Sequence, residues 1–378
     1  MKKAKIVHLT SAHPPYDIRV FHKECKTLAA GDYEVVLVVP YEMNTVTDGV
    51  RIRCVRPPDS RRQRMLRVVW QVLRTALEEQ ADLYHFHDPE LIPAAIILKL
   101  CGRRVVYDVH ENVPEDILDK PYIALPLRKP LAWSVGLVEK FSARVFDAVV
   151  CATPAIARHF HEPVLVQNFP LGVDSEPTES EEYCDRPLVA AYTGGITVIR
   201  GIREMVQAMH LLPNELDARL VVAAKFSPPQ LEEQVSQLPG WDRVDYVGWK
   251  SLHAVAQILA SARMGLVLYH PLANHTEAQP HKLFEYMSAG LPIVASDFPL
   301  WRRIIEGSRC GIVVDPMDSK AIASAITWLF EHPQEAKAMG ERGRQAADSL
   351  YNWKHEAEAL LKLYRNLLSS AKTPRMDS

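Results

Sequence analysis

No two of the six cysteines (Cys25, Cys54, Cys101, Cys151, Cys184 and Cys310) stand in a C-x-x-C pair. That absence speaks against a zinc knuckle, a redox pair or a disulfide framework, and suits the reduced thiols of a cytoplasmic protein. Long apolar runs are missing too. The longest, around Leu91–Leu100, is about half of the ~20 residues that span a bilayer. Met1-Lys2-Lys3 leads straight into the strand-like Ile6-Val7-His8-Leu9 without the apolar core of a signal peptide, so a soluble chain, at most lying on a membrane surface, is expected. Charge excess is lacking as well: 44 Lys+Arg against 46 Asp+Glu give −2, with no general pull toward nucleic acid. Finally, no G-x-G-x-x-G follows the first strand, which argues against a dinucleotide in the first half.

What is present is regular alternation. At 378 residues the chain is too long for one core and predicts two domains. Short β-branched runs (Lys5–Thr10, Glu34–Val39, Arg51–Val55, Leu83–His87, Val105–Asp108, Ala148–Ala152, Val164–Gln167) alternate with amphipathic segments. Asn168-Phe169-Pro170 breaks the pattern, and the acidic stretch to Arg186 reads as a linker over 171–187. Alternation restarts with Val189–Thr193, Arg219–Ala223, Val244–Val247, Met264–Leu268, Ile293–Ala295 and Ile312–Val314. The boundaries expected are 1–170, 171–187, 188–350 and a terminal helix over 351–378. Such βαβα order predicts an α/β protein with two Rossmann-like parallel-sheet domains, ligands lying beyond the carboxyl ends of their strands across a central cleft.

The most informative segment is Glu277-Ala-Gln-Pro-His-Lys-Leu-Phe-Glu285, running on to Gly290-Leu-Pro-Ile-Val-Ala295. Pro280 suits the first turn of a helix, whose start offers N–H groups near His281, Lys282 and Leu283 to a phosphate. Lys282 adds a cation there. Glu285, one turn in, is placed for the two hydroxyls of a ribose, and Glu277 for a sugar beyond the phosphates. Thr193-Gly194-Gly195 and Arg200-Gly201 follow the first strand of this half, the glycines allowing close approach of a ligand and Arg200 a bidentate grip on phosphate.

The Glu277–Glu285 segment resembles the E-x7-E motif of retaining glycosyltransferases of family 4, which have the GT-B fold. The likeness extends to Gly311-Ile-Val-Val-Asp-Pro316 and to the Tyr351-Asn-Trp353 helix. It implies that Glu277 contacts the donor sugar, that Glu285 holds the ribose, and that the terminal helix crosses back to the first domain. Many relatives carry Arg directly after the first glycine, where this chain has Gly195; Arg200 takes the place of their Lys. By the same resemblance His110 matches a histidine beside the reactive carbon of the sugar.

In the first half the unusual residues again follow strands: His13, Asp17 and Arg19 in a proline-stiffened loop, His87 and Asp88 after one strand, His110 after the next. His13, Asp17 and Arg19 are candidates for acceptor hydroxyls or the donor diphosphate, with Asp17 as a helix cap and Arg19 on the helix exterior as the plain alternative. A metal is not expected, since these residues show no ligand spacing. Two basic and apolar stretches, Arg61–Arg67 and Lys120–Trp133, fit either a solvated face or a peripheral hold on an anionic membrane.

The expected activity is metal-independent transfer, with retention, from a nucleotide-diphosphate sugar as co-substrate to a glycan or lipid-linked acceptor. Surface polysaccharide or O-antigen synthesis at the inner face of the membrane is what the resemblance implies. Alternatives are a nucleotide-sugar epimerase and a non-catalytic sugar-nucleotide-binding subunit of an assembly complex.

Overall fold

The computed structural model describes residues 3–119, 123–171 and 182–369. Most of the expected linker (172–181), Lys120 of the second basic stretch, and residues 370–378 of the tail lie outside the described residues. The chain divides into two compact units, Met1–Asn168 with Trp353–Ser378, and Phe169–Asn352.

The first unit is built on eight strands: β1 (Lys5–Leu9), β2 (Glu34–Pro40), β3 (Thr45–Thr47), β4 (Val50–Val55), β5 (Leu83–Phe86), β6 (Arg104–Val109), β7 (Ala148–Cys151) and β8 (Val164–Leu165). Their order is β3-β4-β2-β1-β5-β6-β7-β8, parallel except for β3 against β4. The chain leaves β1 for β2 on one side and returns to β5 on the other, so the strand order reverses there and a crevice opens beyond β1 and β5. Strand residues are buried on both faces, as in Val35–Val39, which reads as a continuous apolar run.

Asp17 caps the first helix, accepting from the N–H groups of Arg19 and Val20. The helix is wound more loosely over Ile18–Cys25 and continues as regular α-helix over Lys26–Ala30, with Gly31 at its end. Helical periodicity predicts an inward face of Ile18, Phe21, Cys25, Leu28 and Ala29; Phe21, Cys25 and Leu28 are buried, whereas Ile18 is exposed. The looser winding brings Arg19, Lys23 and Glu24 into the interior.

A second loose stretch, Arg64–Val68, opens the helix that continues over Val69–Glu79. Val68, Val72, Leu73 and Ala76 are buried while Leu66 is 76% exposed. The apolar face through Leu66, Val69, Leu73, Ala76 and Leu77, which helical periodicity predicts, is thus met at Leu73 and Ala76 and lost at Leu66. The terminal helix Trp353–Ser369 lies within this unit, with Trp353, Leu360 and Tyr364 buried. Trp353 Nε1 donates to Thr27 Oγ1 at 2.8 Å, and Glu356 accepts from the backbone N–H of Gln167 at 2.7 Å.

The second unit has six parallel strands, β9 (Val189–Ile196), β10 (Arg219–Phe226), β11 (Val244–Tyr246), β12 (Met264–Val267), β13 (Ile293–Ser296) and β14 (Gly311–Val314). Their order is β11-β10-β9-β12-β13-β14, which places the switch between β9 and β12. Two apolar layers, one containing Met205, Val206, Ile322 and Ile326 and the other Phe284, Tyr286, Trp301 and Ile305, cover the sheet. Among the described residues no helix is long and apolar enough to cross a membrane.

Candidate active site

In the second unit the loops leaving β9 and β12 meet the helix His281–Ser288 at the switch point. Gly194 has φ +97°, and a Cβ there would lie 3.8 Å from the Lys282 amine. Arg200 donates from Nη1 to the Gly195 carbonyl at 3.0 Å, and a Cβ on Gly195 would come within 2.8 Å of that nitrogen. The guanidinium therefore fills the space a side chain at 195 would need. Gly201 is required by its backbone: φ is +75°, and a Cβ would fall 1.9 Å from the Leu268 carbonyl oxygen.

Two aromatic rings floor this corner. The Lys282 amine sits 3.7 Å from the centre of the Tyr192 ring and 5.6 Å from that of Tyr269, over which Arg200 also lies at 5.6 Å. Ring faces attract both cations. Lys282 is 6% exposed, and its nitrogen has no hydrogen-bond partner among the described residues. Burial, with the positive charge of Arg200 beside it, pulls the Lys282 amine well below its usual range. Two cations in a partly dry corner leave a net positive hole that an anion would fill.

The helix that carries Lys282 begins after Pro280 and buries residues on both sides of Glu285, which itself stays half-buried, as does His281 one turn earlier. Glu277 is exposed at the end of the short helix Ala273–Thr276, and its loop is pinned by Trp301, whose Nε1 donates to the Ala278 carbonyl at 2.7 Å. The expectation at Leu283 is corrected: its N–H donates to the Pro280 carbonyl at 3.1 Å, in the tightened first turn. The Tyr286 hydroxyl accepts from the Thr193 N–H at 3.0 Å and so ties this helix to the end of β9. His270, just beyond β12, faces Glu204 at 3.2 Å, a pair that the sequence reading passed over.

The first unit gathers a histidine wall. Asp108, at the end of β6, is fully buried and takes a bidentate grip from Arg19, 2.9 Å from Nε and 2.6 Å from Nη2. Its Oδ2 also lies 2.9 Å from His87 Nδ1 and 3.4 Å from His110 Nδ1. His87 Nε2 meets His8 Nδ1 at 3.0 Å, and Tyr364 of the terminal helix lies 3.5 Å from His8 Nε2 and 2.6 Å from His85 Nδ1. Burial holds Asp108 up, but Arg19 and the histidines outweigh it, and its carboxyl stays well below the usual range. Burial drives the imidazoles of His8, His85 and His87 down, so they are neutral.

At the outer edge His13 Nε2 is 3.0 Å from His110 Nε2, with Asp17 3.4 Å from His13 Nδ1. Asp88 is held by the Thr10 hydroxyl and the Ser11 N–H, both at 2.7 Å, and lies 3.4 Å from His13. Burial lowers His13, yet Asp17, Asp88 and Glu111 more than offset it and leave its imidazole raised.

The structure thus brings His13, Asp17, Asp88 and His110 together at the rim, and places Arg19 and His87 behind them. Arg19 is 3% exposed, with Nη1 donating to the Val166 carbonyl, so neither an exterior position nor direct contact with acceptor or diphosphate describes it. His87 is likewise covered. The wall also holds residues that sequence reasoning missed: His8, Glu24, His85, Asp108 and Tyr364. The signal was present, since a histidine in the middle of Ile6–Leu9 or Leu83–Phe86 interrupts a strand that is otherwise apolar on both faces.

Two sets of potential metal ligands occur among the described residues, His8, Glu24, His85 and His87, and His87, Asp108 and His110, each within 4.8 Å. Several of those nitrogens are engaged with one another and Arg19 Nε approaches Glu24 at 3.1 Å, while both Glu24 oxygens, His85 Nε2 and His110 Nδ1 are buried without a hydrogen-bond partner among the described residues.

Residues 18–168 match the model of a glycosyl transferase 4-like domain, and residues 179–346 that of glycosyl transferases group 1. The chain is 24% identical over 308 residues to an MMP α-(1→4)-mannosyltransferase of Mycolicibacterium hassiacum, covering 78% of this chain and 74% of that protein. Among solved structures, the sucrose-phosphate synthase of Thermosynechococcus elongatus superposes with a TM-score of 0.78 at 18% identity, over 97% of this chain and all of the other. Anabaena HepE, crystallised with UDP-glucose, gives 0.71 at 14% identity, over 96% and 99%. The two halves thus match two glycosyl transferase domains in order, on a fold shared from end to end, and the chain belongs to the GT-B glycosyltransferases.

Proposed function

We propose that the protein transfers a sugar from a nucleotide-diphosphate sugar to a hydroxyl of a glycan or lipid-linked acceptor, with retention of configuration and without a metal ion. The observation that carries this is the buried amine of Lys282, without a hydrogen-bond partner among the described residues, beside Arg200 and next to Gly194 at the switch point. Departure of the diphosphate builds negative charge as the anomeric C–O bond breaks, and two fixed cations stabilise it where bulk water is excluded. The acceptor oxygen forms the new bond to the same carbon, and its proton passes to a leaving phosphate oxygen. Glu277 orients the sugar, Glu285 holds the ribose, and His110 serves the reacting end. Support for the donor class comes from HepE, whose solved complex holds UDP-glucose.

The finer parts of the reading are a hexosyl donor and a role in surface polysaccharide synthesis, which rest on the family resemblance. Work at the inner face of a membrane has an observation of its own. On the helix Leu125–Ala143, Leu127, Leu131, Trp133, Val138 and Phe141 are exposed, among the exposed cations Lys129, Lys140 and, just past its end, Arg144. Apolar and basic groups mixed on one exposed helix suit an anionic lipid surface.

Thermal shift against UDP, GDP, ADP, TDP and their sugar conjugates, with and without EDTA, tests the donor assignment. Stabilisation by one base, unchanged by EDTA, is expected; no shift with any of them defeats it. Flotation with acidic liposomes at low salt tests the surface, and a protein left at the bottom of the gradient removes that part.

A further inference from the structure

The hydrogen bonds of the histidine wall have one consistent direction, and Asp108 sets it. An ionised carboxylate held by a bidentate Arg19 can only accept. His87 Nδ1, bonded to it at 2.9 Å, must therefore be protonated. His110 Nδ1 lies 3.4 Å away without a hydrogen bond to it, but a lone pair facing the carboxylate would be repelled, which favours the Nδ1–H form there too. A neutral imidazole carries one N–H, so the Nε2 of each ring is an acceptor.

From that point the two arms are determined. Inward, His87 Nε2 accepts, so His8 Nδ1 donates across the 3.0 Å contact. His8 Nε2 then accepts, and its neighbour at 3.5 Å is the Tyr364 hydroxyl, which donates. With its one proton so used, Tyr364 accepts from His85 Nδ1 at 2.6 Å. Outward, His110 Nε2 accepts from His13 Nε2 at 3.0 Å, while His13 Nδ1 points to Asp17 at 3.4 Å. Both nitrogens of His13 are donors, so this ring is the imidazolium of the set. Along these contacts each carries one proton; beside them His13 Nε2 also faces Asp88 at 3.4 Å, and His85 Nε2 and both Glu24 carboxyl oxygens have no hydrogen-bond partner among the described residues.

We infer that Asp108 is a positioning residue that fixes His110 in the Nδ1–H form, so that His110 offers an acceptor at Nε2, occupied by the His13 cation until a ligand displaces it. The group that replaces His13 on His110 is then a donor, which a sugar hydroxyl is and a phosphate oxygen is not. The His13 imidazolium stays balanced by Asp17 and Asp88, so His110 presents a place for a hydroxyl and not for an anion. That last assignment of ligand rests on the transferase reading above, whereas the proton arrangement does not.

The test is long-range 1H–15N correlation spectroscopy of the full chain labelled with 15N-histidine at pH 7, which separates Nδ1–H, Nε2–H and doubly protonated rings. Signals are assigned with His8→Gln, His13→Gln, His87→Gln and His110→Gln variants. Expected are Nδ1–H patterns for His8, His87 and His110 and a doubly protonated His13. An Nε2–H pattern for His87 or His110 overturns the inference. A second variant, Tyr364→Phe, removes the hydroxyl beside His8 and His85. Because the direction is set from Asp108, His8 and His110 keep Nδ1–H while the His85 signals move, and a His8 that changes form would show that Tyr364 and not Asp108 sets the direction. Since no substrate enters the tube, the spectra decide the proton arrangement even if no nucleotide sugar proves to be a donor.

Discussion

Arg19 and Asp108 stand 89 residues apart in the chain and meet as a bidentate pair with both side chains no more than 3% exposed. The pair joins the first helix to the end of β6 and stands directly behind His87 and His110. A buried pair of this kind adds little over an apolar substitute but is costly to half-remove, because the survivor is left as an uncompensated charge.

Arg19→Leu is accordingly expected to lower stability by about 3–5 kcal/mol. Arg19→Lys recovers only part of that, since an ammonium cannot reproduce two parallel N–H donors. Urea unfolding followed by tryptophan fluorescence measures both; equal stability of the Lys variant and the wild type would show that the fork geometry does not matter.

Lys282 makes donor binding proton-linked. In the free protein its amine is lowered, and a diphosphate beside it restores the charged form, so binding takes up protons at pH values between the free and bound pKa. Below the free value the amine is charged in both states and uptake vanishes; as pH rises past the bound value, affinity is lost. Calorimetry of UDP binding in buffers of different ionisation enthalpy should show net uptake in the wild type and none in Lys282→Met, which should also bind about tenfold or more weakly. A proton count that does not change in Lys282→Met would assign the cation role elsewhere.

Gly195 and Arg200 share one volume, so their substitutions should not add. Gly195→Arg alone displaces the Arg200 guanidinium and weakens UDP binding. In an Arg200→Ala background the same change restores a cation and should recover about 1 kcal/mol or more of what Arg200→Ala loses. Additive losses in the double-mutant cycle would show that the two positions do not serve the same space.

Glu139, on the buried side of the helix Leu125–Ala143, accepts from the Tyr107 hydroxyl at 2.9 Å and is pushed up to about 7 by burial. Its folded value lies above its unfolded one, so the folded state holds an extra proton between pH 4.5 and 7. The contribution is complete below about 4.5 and is lost as pH rises through 7, amounting to roughly 3 kcal/mol as an upper bound. Glu139→Gln should flatten that slope in chemical unfolding at pH 5 and pH 8; an identical slope would locate the proton on another group.

How far the sequence carries can be seen at particular residues. Strand positions were legible because β-branched runs buried on both faces leave a plain signal, and so was the helix after Pro280. The face of the Arg61–Glu79 helix was legible only in part: Leu73 and Ala76 turn inward as a regular helix places them, but Arg64–Val68 is wound more loosely than 3.6 residues per turn and Leu66 is turned out. The same cause hid Arg19: a regular helix with Ile18 inward turns Arg19 out, whereas the observed winding buries it. His13, His110, Arg200, Lys282 and Glu285 could be picked out as chemistry-bearing residues after strands or at a helix start. Their company could not, since Asp108, His8 and Tyr364 come together only through pairing of β1, β5 and β6 and the return of a helix from the far end of the chain.

That return has a consequence for how the chain is made. Trp353, Leu360 and Tyr364 complete the interior of a unit whose other residues end at Asn168. On the ribosome, at roughly 5–20 residues per second, the first unit waits on the order of ten seconds or longer for its last helix, while the whole second unit is synthesised in between. During that interval the back of the histidine wall is without Tyr364, and a nascent chain stalled before residue 353 should stay open to protease and to chaperones.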